Sequence, residues 1–163
     1  MNTGKLSQLN LEIISNIKQE LRLQGHFLTG ALEQSLHDAI AQLPDGVDLQ
    51  ATALGYIEDL EKGVPSNHIA IDATSIAAMT RYVQLRMGYK GKQATKVAIA
   101  ILKKQQKEGM PTRNSYQFSK TGNRLESVAD TFYKNDNRYT GMIDNVVIGE
   151  LDAEFNKTKS GIV

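Results

Sequence analysis

The chain has no cysteine, no tryptophan and only three prolines, and its 19 Lys+Arg almost cancel its 18 Asp+Glu. Without cysteine there can be no disulfide, no thiolate zinc site and no cysteine nucleophile, and the composition fits a reducing compartment. A formal net charge of +1 is too small for a protein that coats nucleic acid over its whole surface, so any such contact has to be local. No apolar run approaches the ~20 residues that span a bilayer, so no membrane partner is expected. The opening stretch "MNTGKLSQLNLEIISNIKQEL" carries polar residues throughout. It lacks the continuous apolar core of a secretory signal, and the expectation is mature structure made in a cytoplasm.

The remaining composition is that of an ordinary globular protein, with 40% hydrophobic and 23% charged residues over 163 positions. This length suggests one domain, able to bury roughly 70% of its unfolded surface without staples. Residues 5–24 read as an amphipathic helix. Leu6, Leu9, Ile13, Ile17 and Leu21 recur at three- and four-residue steps with Ile14 beside them. Gly25 is a natural stop because it accepts positive φ.

A different periodicity follows. Pro44-Asp45-Gly46 is a turn signal in which Pro presets φ, Asp bonds its own backbone and Gly takes the left-handed position. Val47, Leu49, Ala51 and Ala53 then alternate with Asp48, Gln50 and Thr52, a period of two. A β-hairpin is predicted, followed by a turn-rich connector, "GYIEDLEKGVPSNHI". Helices are predicted over 74–87, stopped by Gly88, and over 92–107, ended by Gly109 and Pro111. A fourth helix is predicted from Thr121-Gly122, with Leu125, Val128, Ala129 and Phe132 on its face. Residues 135–141 read as a polar turn. "MIDNVVIGELDAEF" then reads as a late strand centred on Val146, Val147 and Ile148, and residues 156–163 as a flexible C-terminal tail. The predicted architecture is α+β: a small antiparallel sheet packed against several helices in one domain over 1–155.

The residues that could carry chemistry are dispersed. His26, His37 and His68 have no second histidine at metal-ligand spacing, and His37-Asp38 has no nucleophile motif beside it. Asp45, Asp48, Asp136 and Asp144 form no calcium-loop series. "GYKGK" at 88–92 lacks the spacing of a phosphate loop and does not follow a strand. No catalytic, metal or cofactor-binding residue is expected. The richest local patch is "RYVQLRMGYKGK", where Arg81, Arg86, Lys90 and Lys92 interleave with Tyr82 and Tyr89. Such a patch can hold a nucleic-acid backbone and stack bases. The plainer reading, which the residues favour, is a solvated helix end and exposed loop; an intermediate one is an exposed basic loop reaching an acidic neighbour subunit or lining a DNA passage.

Two stretches carry a family resemblance. "TGALEQSL" places Thr29, Gly30, Leu32 and Ser35 after an amphipathic helix and a glycine break. "YIEDLEKGVP" places Tyr56, Glu61, Gly63 and Pro65 after the hairpin region. Together they resemble the tail-completion (neck, or head–tail joining) proteins of tailed bacteriophages, over residues 5–70. Val64 stands where that family usually has threonine, and the helical stretch of about 74–107 looks like an enlargement. The resemblance implies a structural virion protein without enzymatic activity. It would assemble as a homo-oligomeric ring between portal or adaptor and tail proteins, with DNA passing through the channel. It would be built in the bacterial host cytoplasm and reside in the virion neck. Arg81, Arg86, Tyr89, Lys90 and Lys92 are then candidates for DNA or subunit contact. The alternative is a small nucleic-acid-binding or regulatory protein that uses the basic 81–92 loop.

Overall fold

The computed structural model describes residues 3–26, 30–43 and 46–160. Helix α1 spans Thr3–Leu23, and a short α2 spans Ala31–Ser35. Strands β1 (His37–Leu43) and β2 (Gly46–Thr52) form an antiparallel hairpin whose register runs from His37↔Thr52 to Leu43↔Gly46. Then follow α3 (Ile57–Lys62), α4 (Ala73–Met87), α5 (Gly91–Glu108) and α6 (Ser127–Ser160), with 3₁₀ turns at Ser66–His68 and Arg113–Phe118. The chain is α+β, mostly helical, with a two-stranded sheet packed on helices.

The main core is the seam between α1 and α6. Leu9, Ile13, Ile14, Ile17 and Leu21 from α1 are buried with Leu32 and Leu36 and with Tyr139 of α6. The two helices are antiparallel: Glu20 pairs with Lys134 at 2.8 Å, and Asn16 donates to the Tyr139 hydroxyl at 2.9 Å. A lone hairpin is marginal in water, and here a buried polar side chain anchors it. Asn10, 2% exposed on α1, donates to the carbonyls of the facing pair Ala39 and Gln50 at 3.1 and 3.2 Å.

A second, smaller core joins α4 to α5, where Val83, Ala94 and Ala98 are fully buried. The two alanines let the helices approach closely. Asp72 and Ser75 make a reciprocal capping box at the start of α4. Gly88 ends α4 in the left-handed conformation at φ 74°, as its place after the predicted helix suggested. This helical hairpin corresponds to the stretch expected over 74–107.

Five predicted segments differ. Residues 55–69, expected as turns, include α3 and a 3₁₀ turn. The fourth helix starts at Ser127 rather than Thr121, and of its expected face only Val128 packs on the core, while Ala129 and Phe132 are exposed. The polar turn at 135–141 and the strand at 142–155 are both absent: α6 runs unbroken through them to Ser160. Their β-branched centre pointed to a strand, but packing against α1 decides. Thr131, Tyr139, Met142 and Val146 fall at helical spacing on the buried side, whereas Val147 and Ile148 face solvent. Residues 156–160, expected in the tail, are the last turn of this helix. Among the described residues no helix is long and apolar enough to cross a membrane.

Candidate functional site: a cation-lined groove and the fasteners around it

Most residues that carry the family resemblance fasten one element to another. Gly30 takes φ 76° at the start of α2, and Thr29 lies outside the described residues. Leu32 is buried. The Ser35 hydroxyl donates to the Leu32 carbonyl at 2.7 Å and accepts from the Leu54 amide at 3.0 Å, closing the two ends of the hairpin. The Tyr56 hydroxyl bonds the backbone of Leu32, and burial raises its pKa. Glu61 reaches furthest. Its carboxylate accepts from the Ser127 hydroxyl at 2.6 Å and the Val128 amide at 2.7 Å. It thereby caps the N-terminus of α6, where amides are unpaired and the helix dipole favours an anion.

Gly63 has φ 74°, and a Cβ there would stand 2.8 Å from the Met110 carbonyl oxygen, so only glycine fits. Val64 and Met110 exchange backbone hydrogen bonds at 2.7 and 2.8 Å. The position that departs from the family pattern is therefore held through its main chain. Pro65 opens the following 3₁₀ turn.

Arg81, Arg86, Tyr89, Lys90 and Lys92 all lie exposed at the α4–α5 corner. Residues 73–108 hold eight Lys and Arg against the single Glu108, a net charge of +7. The rest of the chain therefore carries −6, and the near-neutral total conceals a strongly basic hairpin on an acidic body.

Between that hairpin and the body lies a groove of about 520 Å³. Leu21, Leu32 and Leu60 contribute apolar surface from the body, Met79, Tyr82 and Ile101 from the hairpin, and Phe118 and Leu125 from the segment before α6. Arg22, Arg86, Lys104 and Arg124 bring cations to it, and Glu33 and Asp59 are its acids. Arg22 holds the Glu33 carboxylate with two nitrogens, and Lys104 pairs with Glu108 at 3.4 Å. The Arg124 guanidinium lies over Gly25, where a Cβ would stand 3.3 Å from Nη1 and 2.7 Å from the Phe118 carbonyl oxygen. Its Nε is buried with no hydrogen-bond partner. Burial, with Arg86 nearby, lowers its pKa. His26 Nε2 meets the Arg124 carbonyl at 3.1 Å. Burial first, then the Arg124 charge, push the ring down to about 4, so it is neutral at physiological pH.

His37 and Asp38 are exposed on β1, and neither reaches the groove. Among the described residues no group of three or more His, Asp or Glu is placed to hold a metal ion. Sequence reasoning named Arg86 and Gly25 but missed Arg124, Asn10 and the groove itself. The groove is assembled from segments up to a hundred residues apart, and no local pattern marks it. No protein-family model, no curated protein and no solved structure matches this chain.

Proposed function

We propose that this chain is a structural protein of the neck of a tailed bacteriophage. Copies of it would form a ring that joins the portal or adaptor to the tail. The observation that supports the reading is the role of the motif residues. Leu32, Ser35, Tyr56, Glu61 and Gly63 hold the hairpin, α3, the Met110 segment and the start of α6 to one another. These positions build a scaffold rather than a reaction centre. Such a scaffold suits a subunit that must keep its shape under load from its neighbours. The basic α4–α5 corner, with Arg81, Arg86, Tyr89, Lys90 and Lys92 exposed together, would face DNA in the channel or an acidic neighbour.

The test is mass spectrometry of purified particles together with electron microscopy of a deletion strain. The expected result is the protein in virions at a copy number matching a ring, with separate heads and tails when it is lost. Absence from particles, or normal assembly without it, overturns the reading. The +7 hairpin supports a second reading, a nucleic-acid-binding protein. In that case the isolated chain binds DNA with an affinity that falls steeply with salt.

A further inference from the structure

The outer side of α6 carries a second apolar stripe that the described residues leave exposed. Ile143, Val147, Leu151 and Phe155 follow one another at four-residue steps and are 44%, 45%, 65% and 68% exposed, with Ile148 beside them. Asp144, Asp152 and Glu154 flank the stripe, and from Tyr139 to Asn156 the helix holds four acids and no base; Lys157 and Lys159 follow in its last turn, with Lys157 at 3.6 Å from Glu154. Near the start of α1, the Lys5 ammonium approaches the Gly149 position. Residues 151–160 are all exposed, an overhang of ~15 Å at 1.5 Å per residue. Ten residues of isolated helix are marginal in water, and exposed Leu and Phe add nothing to their stability there.

The groove has the complementary character: Leu21, Leu60, Met79 and Ile101 line it with apolar surface, and Arg86 and Arg124 bring positive charge to it. It also lies at the opposite end of the molecule. It adjoins Leu21–His26 at the end of α1, beside Asp130, which accepts from Gln24 at 3.2 Å. From Asp130 to Ser160 the helix runs ~45 Å, so a continuous α6 cannot fold back into its own groove.

We propose that the α6 overhang of one copy docks in the groove of the next. Leu151 and Phe155 enter as i, i+4 anchors on an amphipathic helix, and Asp152 faces the cations that line the groove. The inference rests on the ring reading for its setting. Plug and socket at opposite ends of one subunit make a heterologous contact, the kind that closes rings by rotation.

The absence of cysteine gives a clean background for the test. Two single variants, Phe155→Cys and Met87→Cys, are purified and mixed at about 100 µM under mild oxidation. Both positions are exposed, and Met87 lines the groove. The expected product is the mixed 155–87 disulfide dimer, and a chain carrying both cysteines should give a ladder of multimers. Arg86→Glu should lower the mixed product at least fivefold, and Asp152→Arg in the other copy should restore it. A 155–155 dimer as the main product would mean two-fold pairing of α6 and would overturn the proposal. So would absence of the mixed product, or an Arg86→Glu variant that loses DNA binding while linking normally. The particle experiment above judges the neck reading separately. A chain that links in this way but is missing from virions would sink only that reading.

Discussion

At the scale of single residues, the fold depends on a few side chains whose partners lie far along the chain. His26 is one. Its ring is held neutral with a pKa of about 4, against an ordinary value of 6.5. The unfolded chain therefore binds a proton below pH 6.5 that the folded chain refuses until about 4. Stability is fully present above pH 6.5 and is lost as pH falls through that window. Discounted for the ring's partial exposure, the loss should be roughly 1–2 kcal/mol. Thermal melts of wild type and His26→Gln across pH 7 to 4 should show a shallower decline for the variant, and parallel declines would refute the assignment. Glu61 is the second such residue. Glu61→Ala removes an anion that caps α6 through Ser127 and Val128. It should cost about 2 kcal/mol, the upper range for loss of a helix cap, read as a lower urea midpoint with an unchanged slope. Glu61→Gln should recover part of the loss, because an amide oxygen still accepts but carries no charge.

Legibility in the sequence divides at the scale of elements. The helix over 5–24, the paired strands on either side of a turn signal whose Pro44 and Asp45 lie outside the described residues, and the stops at Gly25 and Gly88 were readable because each rests on a pattern within a few residues. Helix α6 was not. Two glycines and the run Val146-Val147-Ile148 imitate a turn and a strand, and only contact with α1 decides otherwise. The groove was illegible for the same reason, since Arg124 and Phe118 meet Gly25 across about a hundred residues. The two assignments of 142–155 make opposite mutational predictions. In a strand, Val146 and Ile148 would share a face. In the helix, Val146 is 4% exposed and Ile148 is 55% exposed. Val146→Asp should therefore unfold the protein or lower its melting point severely, by burying an unpaired carboxylate. Ile148→Asp should be nearly neutral, within about 0.5 kcal/mol. Equal effects at the two positions would contradict the helix.

At the scale of the whole molecule, two cores and an uneven charge distribution set the behaviour. The α1–α6 seam is large and tied by long-range polar contacts: Asn10 to the hairpin, and Glu20 and Gln24 to the Lys134–Asp130 end of α6. The α4–α5 core is smaller, built on Val83, Ala94 and Ala98. Its seven net positive charges repel one another, which lowers its local stability at low salt. Units of this kind open separately, with free energies below that of global unfolding. Hydrogen exchange should therefore show the highest protection in α1 and the middle of α6, with α4–α5 exchanging as a block at a lower free energy. Val83→Ala tests the separation directly. It removes a fully buried side chain, a loss of about 1–3 kcal/mol, and should speed exchange in residues 73–108 while leaving the α1 seam unchanged. Added salt should slow exchange in the same block by screening its lysines and arginines. If Val83→Ala instead accelerates exchange equally in α1 and α6, the molecule is one cooperative unit. The basic hairpin then cannot move independently of the body to admit an incoming helix, and a neighbour would have to meet a groove already open in the free subunit.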